Sequence, residues 1–204
     1  QQTGFGAMLS FEISGDRNLA DRRFPVQWVI RPMSDEYHDY RGYAGEVAGG
    51  IWRAGDDVVV LPSGRRTRVA AVETFDRELE AAIPLQSVTI RLEDDVDVSR
   101  SDLLADPERP PIVARELTAR VCWMSERPLT PRAMLQVKGT TRTVRALVEE
   151  LVSVTEIHSL EERSSPERLE LNDIAVVRLR LAEPLVVDLY AQNRATGAFI
   201  LVDE

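Results

Sequence analysis

"DYRGYAGEVAGGIWRAGDDVVVLPSG", residues 39–64, holds six of the eleven glycines of this 204-residue chain. They stand among valines and aromatics that favour strands. Strands of a small closed barrel bend sharply at its corners, and glycine supplies the bulges and close backbone approaches there. Gly42 and Gly45 bracket the start of one strand. Gly49-Gly50 permits positive φ at a turn, and Gly55 followed by Asp56-Asp57 opens the next strand.

The flanking sequence repeats the pattern. "RFPVQWVIR" alternates, with Phe24, Val26, Trp28 and Ile30 on one face and Gln27, Val29 and Arg31 on the other. The first barrel is expected to pack Trp28, Val47, Val58, Val60, Ile90 and Leu92 inward. "ELTARVCWM" carries the alternation through Leu117, Ala119, Val121 and Trp123, and "TVRALVEELVSV" is strand by its β-branched density. "TFDRELEAAIP" (74–84) predicts a helical turn or two and "SRSDLLA" (99–105) one more. "LLADPERPPIVARE" cannot continue a strand through its prolines and reads as a linker. The expected class is all-β, two consecutive small barrels over 10–105 and 112–204, with residues 1–9 set aside as an appended remnant.

Composition narrows the function. The net charge is −9, and of 25 basic residues only Lys138 is lysine, so no basic stripe for nucleic acid is expected. No run is long and apolar enough to span a membrane, no secretory signal is evident, and the lone Cys122 leaves no disulfide framework; a cytoplasmic setting is expected. "SGRRTR" (63–68) reads as a hairpin tip. His38 and His158 are too isolated for a metal site, and Cys122 has no base beside it in sequence. The acidic run Glu93–Asp97 lacks the spacing of a calcium loop. Catalytic, cofactor and metal residues are therefore all expected to be absent.

The stretch Gly45-x-Val47-x-x-Gly50, with Gly55-Asp56-x-Val58 after it, resembles the second domain of translation-factor GTPases, and "NDIAVVRLRLAEPLVVDLYAQNRATGAFILVDE" resembles the last strands of the third. Within that superfamily, "RFPVQWVIRP", "RGYAGEVAGG", "SVTIRLEDDVDVSRSDLL" and "NRATGAFILVD" look like the large, GTPase subunit of bacterial sulfate adenylyltransferase (ATP sulfurylase). The resemblance implies an intact protein that couples GTP hydrolysis to making adenosine 5′-phosphosulfate from ATP and sulfate. It implies GTP and Mg in a separate GTPase domain, ATP on a small catalytic subunit, and both as partners of this chain. Whether an adenylylsulfate kinase domain follows is left open. A G-x-x-x-x-G-K-[ST] phosphate loop cannot be built here, because Lys138 follows Val137. The Tyr-rich loop holding Tyr37, His38, Asp39, Tyr40 and Arg41 suits an interface with the small subunit or the GTPase domain. Asp39-x-x-Gly42 matches a GTPase switch pattern, yet lies inside the barrel motif. The alternative is an RNA- or tRNA-binding module of a translation-type GTPase.

Overall fold

The computed structural model describes residues 18–31, 40–156, 159 and 161–203. Strands make up nearly all of its regular secondary structure. The first sheet takes β1 (Arg23–Pro25), β2 (Trp28–Ile30), β3 (Gly42–Glu46), β4 (Asp57–Leu61), β5 (Arg65–Glu73), β6 (Ser87–Leu92) and β7 (Leu103–Ala105) in the order β1-β7-β4-β5-β6-β3-β2. The second takes β8 (Ile112–Cys122), β9 (Met134–Lys138), β10 (Thr143–Thr155), β12 (Ile174–Val187) and β13 (Ile200–Asp203) in the order β13-β9-β10-β12-β8, with β11 (Glu162–Ser164) on β10. One four-residue helix, α1 (Arg194–Gly197), interrupts them.

The first sheet curls round because one segment serves both of its ends, although β1 and β2 do not pair with each other, so neither sheet is the closed barrel the sequence suggested. β1 pairs β7 and β2 pairs β3. The exchange falls between neighbouring residues: the Val26 amide donates to Asp102 O at 2.9 Å and the Gln27 amide to Ala44 O at 2.9 Å. Pro25, which has no N–H, closes β1 just before the switch. The bend corrects one sequence expectation. Alternation holds through Phe24 and Val26, both fully buried, then slips; Trp28 is 64% exposed and Val29 packs against the core instead. The other expected inward residues hold, with Val47, Val58, Val60 and Ile90 buried and Leu92 packed against them.

Gly45 is needed where this ring is tightest. A Cβ there would lie 2.4 Å from Pro25 O and 3.1 Å from the Phe24 ring. Gly50 adopts φ +70, and any side chain on it would strike the backbone of Arg22. Beneath this turn Trp52 is fully buried, its indole N–H donating to Gly49 O at 3.1 Å and its ring meeting Phe24 edge-on at 6.0 Å.

Neither expected helical turn forms. Residues 74–84 are held by isolated bridges, Glu73 to Glu78 and Trp52 to Ala82, and the "LLA" of 99–105 is β7. A short strand there lets Leu104 enter the first core while Leu103 and Ala105 face away. The run "VVVL" of β4 is likewise buried on both faces. Val58 and Val60 point into the ring, and Val59 and Leu61 join Leu103 and Ala105 in a patch against Val186 of β12.

Candidate functional site

The surface that gathers the predicted interface residues lies where β3 begins, at one side of the first ring. Tyr37, His38 and Asp39 lie outside the described residues, as does His158. Tyr40 and Arg41 are placed, and both are anchored. The Tyr40 hydroxyl donates to Glu73 at 2.9 Å, Arg91 donates to the other Glu73 oxygen at 2.9 Å, and the Arg91 guanidinium stands 5.8 Å from the Tyr40 ring centroid. Burial, reinforced by the hydrogen bond and the charge of Glu73, pushes the Tyr40 phenol up to about 12. Arg41 pairs with Asp95 and donates to Val96 O at 3.2 Å, and Tyr43 OH reaches the same carbonyl at 3.2 Å. Desolvation raises the Tyr43 phenol as well.

Arg31 joins this groove of about 590 Å³ to a shallower one beside it, lined by Trp28, Ile30, Val98 and Arg100. The result is a face with an exposed tryptophan, a braced tyrosine and several arginines, the residue types that anchor protein interfaces. Sequence reasoning missed Trp28 here because it read the alternation straight through the bend. Pro25 is the signal that could have located the break.

A second group binds the two sheets to each other, and nothing in the sequence pattern announced it. Arg23, in β1, makes a bidentate pair with Asp188, just past β12, at 2.8 and 2.9 Å. Both residues are buried. Thr196 Oγ1 donates to Asp188 at 2.6 Å. Asn193 caps α1 by accepting from the Thr196 amide, and its side-chain amide donates to Ala48 O at 3.1 Å. Ser101 Oγ adds a bond to Thr141 O at 2.8 Å. Two charges are thus desolvated together with their hydrogen-bonding capacity used, the condition under which a buried pair holds its place.

Chemistry is sparse elsewhere. Among the described residues no group of three His, Cys, Asp or Glu side chains could hold a metal ion. Lys138 is exposed at the end of β9, and Gly139 belongs to the hairpin that leads into β10, whose strand opens at Thr143. That is not a glycine loop opening a helix, so these residues do not fit a nucleotide's phosphates. Among the described residues, no helix is long and apolar enough to cross a membrane.

Comparison with known proteins places the architecture. The tandem β units share their fold with a solved translation elongation factor, and residues 116–204 match the family described as GTP-eEF1A C-terminal domain-like. Among solved structures, sup35 complexed with GMPPNP superposes with a TM-score of 0.78 at 16% identity, over 92% of this chain and 45% of that one. Elongation factor SelB from Methanococcus maripaludis does so at 0.65 and 18%, over 84% of this chain and 37% of its own.

Over nearly its whole length the chain is a homologue of sulfate adenylyltransferase subunit 1. It is 44% identical to the bifunctional enzyme CysN/CysC of Mycobacterium tuberculosis across 94% of this chain and 31% of that protein. It is 42% identical to sulfate adenylyltransferase subunit 1 of Bacteroides fragilis, across 94% and 39%. With the same subunit of Aeromonas hydrophila it shares 40%, across 99% and 42%. The chain therefore spans well under half the length of these curated relatives.

Proposed function

We propose that this chain is the non-catalytic β portion of a sulfate adenylyltransferase large subunit. The intact enzyme would make adenosine 5′-phosphosulfate from ATP and sulfate, in the cytoplasm, with GTP hydrolysis as the driving reaction. GTP and Mg would be held by a GTPase domain outside these residues, and ATP by a small catalytic subunit. The observation that carries the reading is the identity of about two residues in five, sustained along 94% of the chain, to proteins named as this subunit.

The β units would then serve as a rigid body between the GTPase domain and the small subunit. The Trp28–Tyr40–Arg41 face supports such a role, since its groups are braced for contact and hold no arrangement for chemistry. Co-purification of the tagged chain with the cognate small subunit tests the reading. Retention that weakens in Trp28→Ala and Arg41→Ala would support it, and no retention of the small subunit by the intact large subunit would overturn it.

The RNA-binding alternative has less behind it. Arg41, Arg68, Arg91, Arg120 and Arg142 are each engaged by a carboxylate, and the net charge of −9 disfavours broad affinity for a nucleic-acid backbone. A steep loss of tRNA affinity with salt would revive it.

A further inference from the structure

The first sheet stops at β2, and the stop leaves a groove. β2 is the last strand in the order and, among the described residues, ladders only with β3. Residues 98–100 form the opposite wall of a groove of about 610 Å³ alongside β2, and β3 contributes no residue to it. The two walls share a root at Val26, whose amide donates to Asp102 O at 2.9 Å and whose carbonyl accepts from the Ser101 amide at 3.0 Å. Beyond that root, among the described residues, no backbone bond joins them. An edge strand bordering a groove is the arrangement that accepts an extended peptide as a further strand.

The far wall is preformed. The Ser99 amide donates to the Asp102 carboxylate at 2.9 Å and the Asp102 amide donates to Ser99 O at 3.1 Å, which closes the turn that carries Arg100. Ser101 ties the same turn to the second sheet through Thr141 O. Val98, at its start, is buried in the first core. A site already held in shape loses little freedom when a partner docks.

The lining sets the chemistry of the occupant. Trp28 supplies a large exposed apolar surface, with Arg31 and Arg100 beside it. Among the described residues no carboxylate lines this groove, and neither arginine is held in an ion pair. Arg41 and Arg91 of the neighbouring groove differ, being committed to Asp95 and Glu73. On a chain of net charge −9, two uncommitted guanidiniums flanking an indole are a local exception. Carboxylates match the guanidinium fork, and Trp and Arg are the side chains that dominate binding energy at interfaces. A nucleic acid fits less well, because Glu93, Asp94 and Asp95 line the adjoining groove and would repel a continuous run of phosphates. A peptide can place single carboxylates where the arginines are.

We infer that the β2 groove docks an acidic, extended segment of the small catalytic subunit. The segment adds to β2 as a strand, lays an apolar side chain on Trp28 and sets carboxylates against Arg31 and Arg100. This rests on the assignment to sulfate adenylyltransferase and names the part of that partner which the face takes.

The test measures affinity for the small subunit in the intact large subunit carrying Trp28→Ala, Arg31→Glu or Arg100→Glu. Arg66→Glu, an exposed position in β5, reports the effect of charge reversal elsewhere. Each groove variant is expected to weaken binding about tenfold or more and Arg66→Glu less than about twofold, with unchanged denaturation midpoints showing that all are folded. A photo-crosslinking side chain in place of Trp28 should attach to a segment rich in Asp and Glu. Changing those acids to Lys should restore binding to Arg31→Glu and Arg100→Glu. Full affinity in all three groove variants would overturn the inference and leave the assignment standing. No binding by the unsubstituted large subunit would overturn both. Crosslinks confined to a second large subunit, or to residues 32–39 of the same chain, would give the groove another occupant and refute the proposal. So would single-stranded RNA that binds the unsubstituted subunit and is released by the same three substitutions.

Discussion

The two β units solve one closure problem in different ways. The first ends its sheet with β1 and β2, two halves of one bent segment, so the ring meets itself through covalent continuity. The second ends with β8 and β13, which have no such link. Alternation in the sequence is equally clean in both, yet most inward residues of the first unit are fully buried while Leu117 and Val121 along β8 are only partly so. Periodicity says which way a side chain points. Whether that side is covered depends on a neighbouring strand, which periodicity within one segment does not report.

The largest effect should come from the core of the first unit. Trp52→Ala removes a fully buried indole and its bond to Gly49, and should cost about 3–5 kcal/mol by denaturant titration. Val121→Ala on the open seam should cost about 1 kcal/mol or less, because the site is already partly wet. Equal losses would mean that the two cores are equally complete in solution.

Arg23→Ala should be nearly as severe, at about 3–5 kcal/mol, since it strands the buried Asp188 carboxylate. It should also split a single calorimetric transition into two. If Arg23→Ala left one cooperative transition, the pair would not be what joins the units.

Trp28→Ala should change stability by about 0.5 kcal/mol at most, as for other exposed sites, and less than Val29→Ala beside it. A large loss in chemical denaturation would restore the straight alternation and refute the bend.

The smallest effect concerns Tyr40. Its folded pKa lies above its ordinary value of 10.0, so the stability it contributes is present below pH 10 and lost as pH rises toward about 12. Tyr40→Phe should therefore lose less melting temperature between pH 10 and 12 than the parent. Parallel melting curves for the two proteins over that window would remove Glu73 and burial as the cause.

Much of the fold could be read from local signals. The glycines at 45 and 50 marked a tight approach and a left-handed turn, and the β-branched density of 143–155 marked β10 correctly. Legibility failed where one local feature overrode another. At Pro25 a change of hydrogen-bonding partner broke a pattern that seemed continuous over nine residues, so Trp28 was assigned to the wrong face. At 99–105 a serine-led segment that suggested a helical turn was drawn into β7 by β1 and β4 on its two sides. The interface residues were legible as a Tyr-rich loop, but the bracing of Tyr40 by Glu73 joins positions far apart in sequence. The Arg23–Asp188 pair has the same character, because 165 residues separate its members and no spacing rule connects them.

That pair changes the mechanics of the molecule. The covalent route between the two units, residues 106–111, is a proline-containing tether that would by itself permit swivelling. The guanidinium–carboxylate brace, with Thr196 and Asn193 fastening its far end, runs in parallel with the tether and is much stiffer. The stiffnesses of two springs in parallel add, so the stiffer one dominates. A torque applied at the face of the first ring would therefore reach the β8–β13 seam with little slack, and the tether would carry almost none of it.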